Sequence, residues 1–181
     1  MHNVSLFEVQ RSRIDPRQTP VREDTLRGVL CIIFNKDLSE VLLILKNRPA
    51  FAKGKYNGVG GKHEANETDQ ECASREVLEE AGIEIDTLAW ETAAHIEWKS
   101  WDGAVLATIW QGEQDAVESK TDEPVSWHKI NNLPDNCMRN IHWMVPLAKD
   151  VLMEKYIGTE FDDKDYARDL YIKVTYQPLF D

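Results

Sequence analysis

Apolar and polar positions alternate along this chain in a way that predicts a series of strands interrupted by two amphipathic helices. Leu26 to Phe34, containing RGVLCIIF, is apolar without alternation over a strand-like length, which predicts a strand buried on both faces. Asn35 to Ser39 turns the chain, and Glu40 to Lys46, around VLLIL, predicts a second strand beside the first in a mixed sheet. Pro49 to Gly54 reads as a loop, and Asn57-Gly58-Val59-Gly60-Gly61 as a glycine-rich turn able to bring backbone groups close to an ion or phosphate. A helix follows over Asp69 to Ala81. Thr68 and Glu71 fit a capping box, and Gly82 stands where a left-handed C-terminal cap is wanted. Ala73, Val77 and Ala81 make a stripe of small side chains suited to close packing on a sheet.

Further along, Ile83 to Trp98 and Ala104 to Gln111 read as strands joined at Ser100-Trp101-Asp102-Gly103, whose Asp-Gly favours a hairpin turn. Asp115 to Glu123 is an acidic loop and Val125 to Ile130 a short strand. Met138 to Tyr156 turns helical, with Pro146 either kinking the helix or marking its first turn. Residues 1–24 form a polar arm able to add an edge strand. Residues 158–181 form an extension packed on the same domain, with a strand-like Leu170 to Tyr176. Residues 25–157 between them make one α/β domain.

Charge narrows the partners. The chain of 181 residues carries 32 acidic and 21 basic side chains, a formal charge of −11. This argues against duplex nucleic acid and anionic membrane surfaces as partners, and it means that a polyphosphate would be repelled without bound cations. Cys31, Cys72 and Cys137 are odd in number and lack paired spacing. With no apolar stretch approaching 18 residues, the expectation is a cytoplasmic chain in a reducing compartment. Oligomeric state stays open, a homodimer included.

The chemistry concentrates between Gly61 and Ile83, GKHEANETDQECASREVLEEAGI. Glu76, Glu79 and Glu80 fall at i, i+3 and i+4, so three carboxylates share one helix face. A solvated acidic face is the plain reading. The flanks favour another, because the adjacent small-residue stripe packs inward and the glycine turn precedes the helix. A hard divalent cation with oxygen ligands is the natural occupant.

Gly61, Glu67, Arg75-Glu76, Val77, Glu79-Glu80 and Gly82-Ile83 match, at every fixed position, the signature that the Nudix hydrolases carry. A chance match is on the order of 10⁻¹⁰ per window at ordinary residue frequencies. The resemblance is tight over the box and loose from Thr25 to Ile157. It implies a Nudix α/β/α sandwich with a mixed β-sheet between helices, and a pyrophosphohydrolase using Mg²⁺, with Mn²⁺ as the alternative ion. It implies metal ligation by Glu76, Glu79, Glu80 and the carbonyl of Gly60, with Glu67 and Arg75 orienting them. The general base lies within the box or on a later loop, where Asp122 and Glu123 are the candidates and ordinary exposed charge the alternative.

Lys46, Arg48 and Lys62 are candidates for holding phosphate. Tyr56-Asn57-Gly58 is similar to the turn ahead of the box in oxidised purine nucleoside triphosphatases, with Tyr56 in place of tryptophan. Arg139 to Leu147 resembles that group's base-facing segment. Asn57 and Asn140 are then expected to read a purine edge, with a turn role and an N-cap role as their structural alternatives. The implied substrate is a small nucleotide, in first place a purine nucleoside triphosphate such as 8-oxo-dGTP, cleaved to monophosphate and pyrophosphate. Hydrolysis of nucleotide sugars or dinucleoside polyphosphates is the second reading, weakened by the absence of Pro between Ile83 and Pro124 and of Tyr between Tyr56 and Tyr156. A noncatalytic Nudix-fold binding domain is the third, against which all four box glutamates stand. His63, His95, His128 and His142 lack ligand spacing and read as packing or surface residues.

Overall fold

In the computed structural model, which describes residues 26–98, 101–157 and 173–175, Leu26–Phe34 forms strand β1 at the centre of a mixed sheet. Its partner on one side is β2, Glu40–Lys46, antiparallel through Ile33↔Leu42 and Phe34↔Val41. On the other side is β5, Trp101–Ile109, parallel over the whole strand from Leu26↔Trp101 to Phe34↔Ile109. The order runs β3 (Lys55–Asn57), β2, β1, β5, β4 (Glu91–Trp98) and β7 (Lys173–Thr175), with β6 (Val125–Lys129) also pairing β2. β7 lies parallel to β4 through His95↔Lys173. The amino-terminal arm and the rest of the carboxy-terminal extension lie outside the described residues.

Helix α1, Asp69–Ala81, covers one face of the sheet and α2, Ile141–Ile157, the other. Alternate residues of β1 serve the two layers. Val29, Cys31 and Ile33 meet Cys72, Ala73, Val77 and Ala81 of α1. Leu30, Ile32 and Phe34 meet Ile141, Met144, Val145, Ala148 and Leu152 of α2. A strand clothed on both sides needs apolar residues at every position, which is why its sequence shows no alternation. The architecture is the α/β/α sandwich that the box resemblance implies.

Local signals set the ends of α1. The Thr68 hydroxyl accepts the Glu71 amide, the Glu71 carboxylate accepts the Thr68 amide, and Gly82 closes the helix at φ 69° by donating to the Leu78 carbonyl. Helix α2 starts at Ile141, later than expected, because the Asn140 carbonyl receives the first helical amides, from Trp143 and Met144. Pro146 lies inside the helix, beyond its first turn and on its exposed side, where water can satisfy the carbonyl that proline leaves without a donor.

Two strand boundaries differ from the sequence expectation. Asp102 and Gly103 do not turn the hairpin but lie inside β5, opposite Glu97 and Ile96. Nine consecutive pairs with β1 recruit them into the sheet, outweighing the preference of a dipeptide for a turn. The strand expected from Ile83 starts only at Glu91, since Asp86 accepts the Leu88 amide at 2.8 Å and caps a short 3₁₀ turn over Thr87–Ala89.

Replacing Thr68 by Ala removes one side of the capping box and should cost about 1 kcal/mol. The expected drop in melting temperature is roughly 2–4 °C, read by thermal unfolding, with Thr68→Ser restoring most of it.

Candidate active site

The glycine-rich segment is sutured along the first half of β1, where β2 has already diverged. The Val29 amide donates to the Gly61 carbonyl at 2.9 Å, Cys31 to Val59 at 2.7 Å, and His63 donates back to Arg27 at 3.1 Å. Gly60 has φ 149°, and a Cβ there would stand 2.2 Å from the Val29 carbonyl oxygen. Only glycine brings the backbone this near, and the approach turns the Gly60 amide to donate to Glu80 Oε2 at 3.1 Å. At Gly61 the reason is space, since a Cβ would sit 2.2 Å from Glu76 Oε1.

Arg75 organises the carboxylates. Its Nε and Nη2 grip Glu67 at 2.8 and 3.0 Å, Nη1 reaches Glu76 at 2.9 Å and Glu79 at 3.4 Å, and Nη2 also donates to the Lys62 carbonyl at 2.9 Å. The contact with Glu79, one helical turn along, is the longest of these, and the bidentate clamp on Glu67 is the strongest by geometry. That clamp pushes the Glu67 carboxyl down to about 2. Glu79 is left the most exposed of the three helix carboxylates.

Glu80 is in the opposite situation. Burial raises its carboxyl above 4.5, and the charges of Glu76 and Glu123 add to this, although Lys46 and the Gly60 amide oppose them. Lys46 Nζ lies 3.7 Å from Glu80 Oε1 and in close contact with Glu123 Oε2. Glu123 is not the exposed loop charge of the plain reading: only 2% of it is accessible. Its Oε1 accepts the amides of Asn47 at 2.6 Å and Arg48 at 3.2 Å. Burial works to raise its carboxyl, yet Lys46 and these amides together hold it below the usual carboxylate range. Asp122 stays outside, ion-paired with the exposed Arg48 at 3.1 Å. The Lys62 side chain is also exposed.

Asn57 and Asn140, 83 residues apart, come together, with Asn140 Nδ2 3.4 Å from Asn57 Oδ1 and 3.4 Å from Met144 Sδ. Asn57 ends β3 opposite Ile44, and Asn140 opens α2. A strand end and a residue just before a helix thus meet through their side-chain amides. Tyr56 packs edge-on against His128, ring centroids 4.5 Å apart, and against the core cluster on the α2 side of the sheet.

Hard oxygen donors dominate the box, the chemistry that suits Mg²⁺ or Mn²⁺. No three metal-ligating side chains among the described residues converge as a ready-made cage. Each box carboxylate instead has an internal donor, Arg75 for Glu76 and Glu79, Lys46 and Gly60 for Glu80. Two features were not legible in the sequence, the role of Asn47 and the enclosure of Glu123. Asn47, whose Nδ2 donates to the Asp122 carbonyl at 2.5 Å, ties the loops together, and the burial of Glu123 makes it a partner of Lys46. The one hint was the opposite charge of two segments 75 residues apart.

The match to the NUDIX domain family model spans residues 24–148. Over 133 residues the chain is 34% identical to the oxidized purine nucleoside triphosphate hydrolase of Mus musculus, covering 69% of this chain and 81% of that protein. The protein of the same name in Danio rerio is 43% identical over 60 residues, 33% of this chain and 38% of the relative. An NAD-capped RNA hydrolase, NudC of Chromobacterium violaceum, is 32% identical over 94 residues, 51% of this chain and 35% of its own length. Among solved structures, a MutT NUDIX hydrolase from Burkholderia pseudomallei superposes with a TM-score of 0.58 at 19% identity, over 69% of this chain and 98% of that one. A MutT chain from a study of the Aliivibrio salmonicida and Vibrio cholerae enzymes gives 0.54 at 23%, over 67% and 98%. With a family match over well more than half its length, a fold shared with MutT proteins and an intact box, this chain belongs to the NUDIX domain family and is a Nudix hydrolase.

Proposed function

We propose that the protein is a metal-dependent pyrophosphohydrolase of purine nucleoside triphosphates, oxidised purines included, releasing monophosphate and pyrophosphate. The observation that carries this reading is the Asn57–Asn140 amide pair, three residues ahead of Gly60 on the segment that leads into the acidic box. An extended chain spans about 10 Å in three residues, on the order of the reach from a nucleotide's base to its outer phosphates. An amide accepts at one purine edge atom while donating to the next, which is what reading a base requires. The names of the mouse and zebrafish relatives support the same class.

Glu76, Glu79, Glu80 and the Gly60 carbonyl are the residues that would hold Mg²⁺ or Mn²⁺, and such an ion would neutralise nonbridging phosphate oxygens. Arg75 fixes Glu67 and Glu76, Lys46 supplies a cation beside Glu80, and Lys62 and Arg48 stand exposed where an anionic chain could reach them. Glu79, exposed and held only by the longest of the Arg75 contacts, is the box carboxylate with most freedom to take a proton from water. Glu123 has both oxygens engaged, which favours a positioning role over the base role. Three buried free thiols suit a reducing, cytoplasmic setting.

A panel of nucleoside triphosphates, dinucleoside polyphosphates and NAD-like dinucleotides with Mg²⁺, scored for pyrophosphate against orthophosphate release, tests the reading. Pyrophosphate from a purine triphosphate is expected, and preferential cleavage of a dinucleotide would transfer the chain to the second class.

Glu80→Gln should lower the hydrolysis rate by about two orders of magnitude or more. In EDTA the same variant should melt higher than wild type at neutral pH. The folded carboxyl lies above its unfolded value of 4.5, so its ionised form costs stability above the raised value, and the difference closes as pH falls toward 4.5. Thermal melts from pH 4 to 8 read this directly, and a wild type that stays the more stable at pH 7 would contradict it.

Asn57→Ala and Asn140→Ala should reduce kcat/KM for the preferred nucleotide by roughly five- to 150-fold, the range for a polar group left unpaired, with much smaller losses on poor substrates. Asn140→Ser, which keeps an N-cap oxygen, controls for the helix start. Equal losses on all nucleotides together with a lower melting temperature would make both residues backbone supports only.

A further inference from the structure

We infer that His63 is a positioning residue for the metal site, fastening the glycine-rich segment to helix α1 without drawing on the box side chains; this rests on the metal-binding reading above. The ion of that reading takes oxygens from two separate pieces of chain, the Gly60 carbonyl and the carboxylates of α1, so its affinity depends on how firmly their spacing is set beforehand. Among the described residues, three hydrogen bonds join residues 60–63 to α1: the Gly60 amide to Glu80 at 3.1 Å, Arg75 Nη2 to the Lys62 carbonyl at 2.9 Å, and His63 Nε2 with Asp69 Oδ1 at 2.7 Å. The first ends on a carboxylate whose charge the ion would share, and the second on a guanidinium already divided among Glu67, Glu76 and Glu79. Only the third is made by side chains outside the box.

Around His63 the bonds form a closed clasp. Its amide donates to the Arg27 carbonyl at 3.1 Å, its ring meets Asp69, and Asp69 Oδ1 also accepts Arg27 Nη2 at 3.3 Å. The start of β1, the end of the glycine segment and the first turn of α1 are thereby tied together. Between Gly60 and His63 the chain is held to the sheet, by the Gly28–Lys62 bridge and the Val29–Gly61 bond, but those pins leave its distance to the helix unset. Asp69 is the first residue of α1, where the unpaired amides of the helix end favour a negative charge. A carboxylate accepts, so Nε2 is the donor of the 2.7 Å bond. The ring is only 7% exposed, and its Nδ1 is buried without a hydrogen-bond partner. Burying an imidazole with one nitrogen unmatched costs free energy, and the bond to Asp69 is the polar contact of the ring that offsets it. The polar function of this side chain therefore rests on Nε2 alone, and a single amide donor of similar reach can stand in for it.

The test is Mn²⁺ binding without nucleotide, followed by the paramagnetic resonance of free Mn²⁺, on the full chain and on His63→Ala, His63→Gln, Asp69→Ala and the double alanine variant, at a temperature where melting curves show each to be folded. Wild type is expected to bind, and Glu80→Gln to lose that binding, which places the ion in the box. His63→Ala should bind about tenfold more weakly, as for the loss of one hydrogen bond to a charged group. His63→Gln, which keeps a donor, should stay within about threefold of wild type. Asp69→Ala removes the same bond from the other side and serves as well should His63→Ala fail to fold, and the double variant should bind no more weakly than the weaker single one. Wild-type affinity in the alanine variants, no recovery in His63→Gln, or additive losses in the double variant would each overturn the inference while leaving the metal reading intact. A wild-type chain that fails to bind Mn²⁺, or whose binding is untouched by Glu80→Gln, overturns the metal reading and this inference together.

Discussion

Five carboxylates, Glu67, Glu76, Glu79, Glu80 and Glu123, are gathered around two cations, Arg75 and Lys46, and the rest of the site depends on how that excess of negative charge is held. Repulsion among them is met in two ways. Arg75 takes the outer group with its planar fork, an arrangement that a point-charged lysine could not reproduce, since it needs parallel donors to Glu67 and a separate one to Glu76. Lys46 takes the inner group, where burial makes an unpaired Glu80 or Glu123 costly. The box is therefore a region where more negative charge is gathered than the two cations can neutralise.

Geometry makes this crowding available. The sheet surrenders one side of β1 to the glycine segment, so a stretch with almost no side chains lies where a strand with Cβ atoms would block the carboxylates. Val59 and Gly61 spend their carbonyls on β1 amides, which leaves the Gly60 amide free to face Glu80. The inward stripe of α1 is small for the same reason: Ala73, Val77 and Ala81 let the helix axis come close enough for its acidic edge to reach that segment.

Where information is local, the sequence was legible. The capping box, Gly82, the unalternating β1 and the box spacing are each decided within a few residues, and the structure follows them. Asp102-Gly103 was misread because the deciding partner, β1, is more than 70 residues upstream, and a sheet register of that span has no local trace. Glu123 was named from the sequence as a candidate, but its burial and its partners were not legible, for a related reason. An acidic residue in an acidic loop looks solvated, and only the fold places Lys46 and two backbone amides against it. The Asn57–Asn140 approach lies between these cases, since the sequence offers each residue a local role, turn or N-cap, that hides the contact made across the domain.

The loop after β2 and the loop before β6 also bear on how the site would meet an anion. Lys46 pairs with Glu123 and Arg48 with Asp122, so the basic residues that leave the strand are matched, one for one, by neighbouring acids. On a chain with a net charge of −11, that matching leaves little positive field at the mouth of the site to steer an anion inward. An anion arriving at the box would meet carboxylates and already paired cations rather than free positive charge. Arg48, exposed and paired at the surface, can exchange Asp122 for a phosphate at little cost, because surface ion pairs are worth about 0–1 kcal/mol. Lys46 cannot do so as freely, being enclosed between Glu80 and Glu123. The two-residue step off the end of β2 thus gives one cation that is easily redirected and one that is held between two acids.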